Sequence, residues 1–210
     1  MSVSASIYQN FLYNALHAKN IDFDSDTIKA TLHTSTYSPD LATHAFQDSL
    51  TNEVTGTGYD AGGKTLAGCS VAIVVAASAP SWATATAYTL GQLVRKTTTN
   101  AHIYRCVVAG TSHAATEPTW PTDPGITVTD GTVTWAECGS AYIKLTFTAP
   151  SWTTSTITAR YMAIADTTPG SAATNPLIAL VNFGADQTTA GTTFTVTPDA
   201  TYGLIQIPLL

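Results

Sequence analysis

Charged side chains are scarce in this chain of 210 residues. Asp, Glu, Lys and Arg make up 10% of it, against roughly 25% in ordinary soluble domains. The 8 basic residues are spread along the sequence and form no cluster, and the formal net charge is −6. Because binding to phosphates needs grouped Lys and Arg, we expect no direct contact with nucleic acid.

Long hydrophobic runs are also missing. The longest one, residues 71–77, is much shorter than the roughly 20 apolar residues that span a bilayer. The first residues do not combine a basic region with an apolar run, so we expect no secretory signal. The sequence therefore predicts no membrane partner and assembly in the cytoplasm of the producing cell.

Cysteine is rare, and its number is odd. The three cysteines do not encode a complete disulfide framework. Cys69 lies in an apolar run and is expected to be a small buried residue. Cys106 and Cys138 either pair with each other or remain thiols, and the sequence leaves both alternatives open.

Patterns typical of metal sites and catalysis are lacking too. Asp22, Asp24 and Asp26 have the spacing of a calcium loop, but Thr27 replaces its glycine and His33 its final glutamate. These aspartates are therefore predicted to form turns. The other histidines show no metal-ligand spacing, and the few glutamates are explained by turn and surface roles. We expect no enzyme, no metal and no cofactor.

One stretch matches a phosphate-binding motif residue by residue, and the match has to be judged by the structure predicted around it. The stretch 58–65 fits the phosphate-loop pattern of Gly, four residues, Gly, Lys and Thr. Such a loop needs a buried parallel strand before it and a helix after it, whereas residues 66–75 are β-branched and apolar and are predicted to form a buried strand. We therefore interpret Lys64 as a solvated side chain, and Gly56, Gly58, Gly62 and Gly63 as turn residues with positive φ.

Abundant threonine and 44% hydrophobic residues favour β-strands. The only helix predicted is 5–19, with an apolar stripe of Tyr8, Phe11, Leu12, Ala15 and Leu16. Short strands separated by Gly, Pro and Asp turns are predicted at 27–35, 66–77, 142–148, 156–165, 177–183, 192–197 and 204–209. The predicted fold is mainly β, a β-sandwich with a short N-terminal α-helix and a small inserted β domain.

The insert is predicted from a repeated word. Ala-Pro-Ser-Trp occurs at 79–82 and again at 149–152, and the composition between the two copies differs from that of the flanks. We predict one discontinuous β-sandwich domain, 1–81 and 141–210, interrupted by a small β module at 82–140. In this arrangement strand 66–77 continues into 142–148.

Five large aromatic residues are concentrated in the insert: Trp82, Tyr88, Tyr104, Trp120 and Trp135. A module this small needs large side chains for its core, and Tyr104 and Trp135 lie in strand-like alternation. Trp82 and Trp120 lie next to Pro and Thr in loops, where we expect them to be exposed. A glycan platform formed by Trp82, Tyr88 and Trp120 is the alternative to a core role.

Part of the insert resembles the small chitin- and cellulose-binding modules of polysaccharide-degrading enzymes. The similarity lies in Trp82, Tyr88-Thr89-Leu90-Gly91, Val94, Tyr104-Arg105-Cys106 and Glu117-Pro118-Thr119-Trp120. It departs from that family at Gln92 and at Val107-Val108-Ala109. The resemblance implies a small β fold and, as a function, the recognition of host-surface glycan. Residues 127–135 are predicted to form a hairpin with an Asp-Gly turn.

Both flanks of the insert resemble virion structural proteins of tailed bacteriophages with an immunoglobulin-like sandwich. The similar words are 26–30, 53–59, 62–66, 157–161 and 176–179, and segment 127–135 is similar to segments of tail and fibre proteins. The resemblance implies a place in the virion, as a head decoration or a tail-associated protein. The implied partners are other virion proteins and copies of the chain itself.

Overall fold

The structure is a computed structural model that describes residues 4–18, 21–200 and 203–209. Strands account for 48% of it and helical segments for 7%. The predicted mainly β, sandwich-like fold with one short helix is thereby confirmed. In the described ranges, no helix is both long enough and apolar enough to cross a membrane.

The strands in chain order are β1 Ser4–Ile7, β2 Ile28–His33, β3 Lys64–Thr65, β4 Ala67–Val75, β5 Ala87–Tyr88, β6 Leu93–Arg95, β7 Ile103–Val108, β8 Gly110–Thr111, β9 Thr127–Asp130, β10 Val133–Glu137, β11 Ala141–Thr148, β12 Ser151–Asp166, β13 Leu177–Thr195 and β14 Ile205–Leu209. The helical segments are α1 Asn10–Tyr13, a π-helix Asn14–Ala18, and 3-10 turns at Gln47–Ser49 and Ala76–Ser78.

The chain divides into two compact units. The first unit comprises Met1–Ser70 and Thr146–Pro198, and the second unit comprises Val71–Leu145 and Asp199–Leu210. The second unit contains the whole of the predicted module 82–140 together with flanking residues that we had assigned to the outer domain. The predicted boundaries at 81 and 141 stay a prediction.

A five-stranded antiparallel sheet of order β1-β13-β12-β2-β3 forms the first unit. Its centre is the long hairpin β12–β13, which is paired from Ser151 opposite Thr195 to Ala165 opposite Leu177. The prediction of two strands at 177–183 and 192–197 with a turn between them is wrong, because Leu177–Thr195 is one strand and residues 184–186 lie in a bulge within it. Ala159 pairs with Gln187 and Tyr161 with Asn182, so the extra residues bulge opposite Arg160 without reversing the chain.

The N-terminal segment corrects the predicted helix 5–19. Residues 4–7 form β1 and pair with residues 179–182 of β13, and helical structure begins at Asn10. These residues form a strand rather than a helix because the strand extends the sheet at its edge, whereas an isolated helix of this length is only marginally stable. The predicted stripe is only half buried, since Tyr8 and Phe11 are buried and Leu12 and Leu16 are exposed. Its predicted end at residue 19 lies outside the described residues.

A separate three-stranded sheet has the order β14-β11-β4. The predicted adjacency of strands 66–77 and 142–148 is therefore confirmed. The prediction that β4 is buried is wrong, because all nine of its residues are exposed or half-buried. Its edge position in the sheet explains this, since only one side of the strand has a neighbour.

Candidate functional site

The insert aromatics form one buried cluster in the second unit. Its members are Trp82, Tyr88, Val94, Tyr104, Cys106, Trp120, Val133 and Trp135. The sheet β6-β7-β10-β9 supplies most of them. The cluster is thus the core of the module, and the predicted core roles of Tyr104 and Trp135 are confirmed.

A buried carboxylate organises the centre of this cluster. The indole Nε1 groups of Trp82 and Trp135 donate to Oδ2 of Asp130 over 2.7 and 3.1 Å. The backbone N–H of His113 donates to Oδ1 over 2.8 Å. Asp130 is buried, and these three donors replace the water that a carboxylate would otherwise need.

The local sequence explains the position of Asp130. It ends β9, and Gly131 follows it with φ +62°. Asp130 pairs with Val133 across the turn, so the predicted hairpin is confirmed, with Gly131-Thr132 rather than Asp130-Gly131 as its two turn residues. A Cβ on Gly131 would lie 2.4 Å from the carbonyl oxygen of Thr111. The turn therefore needs glycine, and it turns the Asp130 side chain towards the two indoles.

A second acid fixes Trp120. Its indole N–H donates to Oε1 of Glu117 over 2.9 Å, and the same oxygen accepts the backbone N–H of Thr97 over 2.7 Å. The rings of Trp120 and Tyr104 pack with centroids 4.1 Å apart. Tyr104 in turn donates its hydroxyl to the carbonyl of Pro121 over 2.9 Å. These bonds fold the 117–121 loop over the core.

A third acid, Glu137, is buried beside His102. Its Oε1 accepts from His102 Nδ1 and from the backbone N–H of Gly139, each over 2.8 Å. Its Oε2 is buried without a hydrogen-bond partner in the described part of the chain. Glu137 therefore anchors the start of the segment that leads from β10 to β11.

The three residues of the predicted glycan platform lie close together, but they lie in the core of the module. Trp82, Tyr88 and Trp120 expose only 8%, 5% and 7% of their surfaces. The expected exposure of Trp82 and Trp120 is wrong because their N–H groups bind carboxylates inside the module. Tyr88 packs edge-on against Trp135 at 4.8 Å, and Trp120 lies 5.9 Å from the same ring. Sugar binding by these three residues stays a prediction.

The structure settles the two alternatives for the cysteines. Cys69, Cys106 and Cys138 are all thiols. Cys106 pairs with Trp135 across the sheet, while the thiol of Cys138 donates to the carbonyl of Ile103. Burial raises the pKa of Cys106 to about 11 and that of Cys138 to about 12, so both stay protonated and weakly nucleophilic at neutral pH.

The glycine-rich stretch 58–65 lies in the first unit and leads into strand β3, not into a helix. Glu53 accepts the backbone N–H of Gly62 over 2.8 Å and the hydroxyl of Tyr59 over 2.6 Å. Lys64 donates to the carbonyl of Ser151 and lies over the Trp152 ring. A carboxylate of the chain thus takes the amide that a phosphate would need, and the predicted turn is confirmed.

Positive φ is confirmed at each glycine predicted to have it, with +152° at Gly56, +77° at Gly58, +86° at Gly62 and +69° at Gly63. The aspartates 22, 24 and 26 form the predicted turn, in which the backbone N–H of Asp22 donates to Asp26 Oδ2 over 2.6 Å. No group of three or more His, Cys, Asp or Glu side chains suited to a metal occurs in the residues that the structure describes.

Sequence reasoning missed the acids of the module. Asp130 reads as an ordinary turn residue, and its role depends on two tryptophans 48 and 5 residues away. The available signal was the density of Trp together with the few acids of a charge-poor chain, since a buried indole N–H needs an acceptor. No protein-family profile, curated protein or solved structure matches this chain.

Proposed function

We propose that this chain is a non-enzymatic structural component of a tailed-bacteriophage particle, a surface protein that decorates the head or belongs to the tail. The observation that carries the proposal is the apolar surface of the N-terminal helical segment. Leu12, Tyr13 and Leu16 are 36%, 58% and 76% exposed. A helix that presents such side chains to water is typical of a surface that another subunit covers.

The second unit supports the same role. Its large side chains Leu90, Val108 and Ile126 are at least half exposed, while its aromatic rings and three acids are used inside the core. A core fixed in this way gives a rigid body whose outer surface is available for contacts. We propose that this unit is the part displayed outward from the particle.

Low charge adds to the argument. Arg160 lies 3.6 Å from Asp186 in an ion pair, and Asp, Glu, Lys and Arg together make up only 10% of the chain. A surface of threonine and small apolar residues lets copies approach closely with little repulsion. The resemblance of both flanks to virion proteins, found in the sequence, points the same way.

Mass spectrometry of purified particles tests the proposal. Particles of the phage whose genome encodes this chain are purified by density gradient and washed in high salt. We expect peptides of the chain in amounts comparable with known shell or tail proteins. A non-structural protein encoded by the same phage is the control for carry-over. A chain that is abundant in the lysate but lost from washed particles like this control would overturn the structural role.

A further inference from the structure

Strand β4 has the composition of a buried strand but lies at the surface. Val71, Ile73 and Val75 are 41%, 69% and 51% exposed. Because side chains alternate along a strand, these three residues lie on one face. An apolar, β-branched strand is typical of a position covered on both sides, and side-chain contacts with a neighbouring apolar strand would remove part of this surface from water and favour association.

The backbone of β4 is open to a partner as well. β4 ends the sheet β14-β11-β4, and in the described ranges no strand pairs with its outer side. Proteins normally protect such an edge with charged side chains or proline. Residues 65–94 contain neither Asp, Glu, Lys, Arg nor His. The edge is therefore unprotected, and it fits a partner strand that is itself apolar and uncharged.

The other edge of the same sheet is protected. Pro208 lies within β14 and pairs with Tyr142 of β11. Proline is tolerated in a paired strand where its nitrogen points away from the neighbour, so the outer side of β14 lacks a donor at this point. Continuation of the sheet from the β4 of one copy to the β14 of the next is thus disfavoured. Pairing of β4 with β4 avoids the proline and closes the assembly.

We propose that a second copy of this chain covers the edge, with the two β4 strands antiparallel about a twofold axis at Ile73. This places Val71 of each copy opposite Val75 of the other and joins two three-stranded sheets into one of six strands, with a β14 at each end. Cross-strand pairs of β-branched residues stabilise such an arrangement. The inference deepens the proposed structural role and rests on it, because it names the partner and the contact surface.

A charge on the axis tests the pairing. Ile73→Lys is compared with Leu90→Lys, whose site is 63% exposed in the same unit. In sedimentation equilibrium we expect a dimer for the wild type and for Leu90→Lys, and at least about tenfold weaker association for Ile73→Lys. Circular dichroism checks that all three are folded. A monomeric wild type at a concentration on the order of 100 µM, or equal weakening by both substitutions, would overturn the proposal.

A disulfide across the axis tests the register. Two cysteines that face each other in antiparallel strands have the Cα separation that a disulfide needs. Ile73→Cys and Leu90→Cys are each made in a Cys69→Ser background and oxidised with diamide. We expect a covalent dimer from Ile73→Cys and none from Leu90→Cys. Equal cross-linking of the two variants would contradict an axis at Ile73.

Pairing of β4 with a second copy and the role in the virion can be tested separately. A wild-type dimer that is absent from washed particles would leave the self-pairing standing and remove the virion role. A monomeric wild type whose incorporation into particles is lost in Ile73→Lys but kept in Leu90→Lys would assign the edge to another virion protein. That second outcome would overturn pairing with a second copy.

Discussion

The indole N–H of Trp82 donates to the carboxylate of Asp130 across 2.7 Å inside the second unit. Trp135 donates to the same oxygen, so one buried acid holds two of the largest side chains of the module. Loss of the Asp130 carboxylate would therefore leave two buried indole donors without this acceptor.

We expect Asp130→Ala to lower the free energy of unfolding of the second unit by about 3 kcal/mol, because buried indole donors are left without an acceptor. Asp130→Asn keeps one carbonyl oxygen for the indoles and loses the bond to the His113 N–H, so a loss of about 1 kcal/mol is expected. Urea unfolding followed by tryptophan fluorescence measures both. The exposed Asp123→Ala is the control, and an effect as large as that of Asp130→Ala would contradict the assignment.

The burial of Trp120 decides how glycan binding can be tested. Trp120→Ala opens a cavity and costs about 3 to 5 kcal/mol, so lost binding in that variant would only report unfolding. Trp120→Phe keeps the ring and removes the bond to Glu117, with an expected cost of about 1 kcal/mol. We expect wild type and Trp120→Phe to pass through chitin and cellulose columns alike without retention. Retention of the wild type would favour the adsorption protein over a purely structural one.

Replacement of two adjacent glycines by alanine is expected to lower the free energy of unfolding by different amounts. A Cβ on Gly63 would lie 2.0 Å from the carbonyl oxygen of Ala30, whereas one on Gly62 meets nothing within 4 Å. Both have positive φ, so Gly62→Ala should cost only the backbone strain of about 1 kcal/mol. Gly63→Ala must also push the chain away from β2, and we expect at least about 2 kcal/mol more. Thermal unfolding of both variants checks this, and equal melting temperatures would refute it.

The surroundings of His33 predict that the stability of the first unit depends on pH. Its Nδ1 bonds to the Thr51 carbonyl and its Nε2 to the Thr31 hydroxyl, each over 2.8 Å. The carbonyl can only accept, so Nδ1 carries a proton, and in the neutral ring Nε2 accepts the proton of the Thr31 hydroxyl. Burial lowers the pKa of His33, against the smaller opposing effects of the Thr51 bond and the Glu53 charge.

The unfolded state then binds the proton first as pH falls. Stability is full above about pH 6.5 and declines below it until the lowered pKa is reached, by at most about 1.4 kcal/mol per pH unit. We expect His33→Gln, which keeps a donor and an acceptor, to flatten this decline between pH 7 and pH 5. Urea midpoints measure it, with the exposed His17→Gln as control. An unchanged slope in His33→Gln would show that other groups cause the decline.

Much of the fold follows from local pattern. Residues 142–148 and 156–165 alternate in the way that strands require, and both lie within strands of the structure. Positive φ at the glycines of 56–63 can be predicted from the sequence, because only glycine adopts such backbone conformations at little cost. These features depend on neighbours in sequence, which a single chain displays.

The errors arise where distant residues decide. Residues 5–7 belong to the predicted helix 5–19, yet they pair with β13 as a strand. Trp82 and Trp120 lie in loops, yet Asp130 and Glu117 turn them inward. β4 reads as buried, yet its position at the edge of its sheet leaves it uncovered. In each case the competing partner is not visible in the local pattern.

The pairing of β1 with β13 also fixes when the chain can fold. Ser4 lies opposite Asn182, so the first strand waits for a partner that is made 178 residues later (182 − 4). At 5 to 20 residues per second this delay is roughly 10 to 40 s. During that time the β1 segment and its exposed neighbours Leu12 and Leu16 have no sheet to join. The sheet of the first unit is therefore completed only after residue 182 has been made, and until then the exposed apolar residues of the nascent chain are accessible to chaperones.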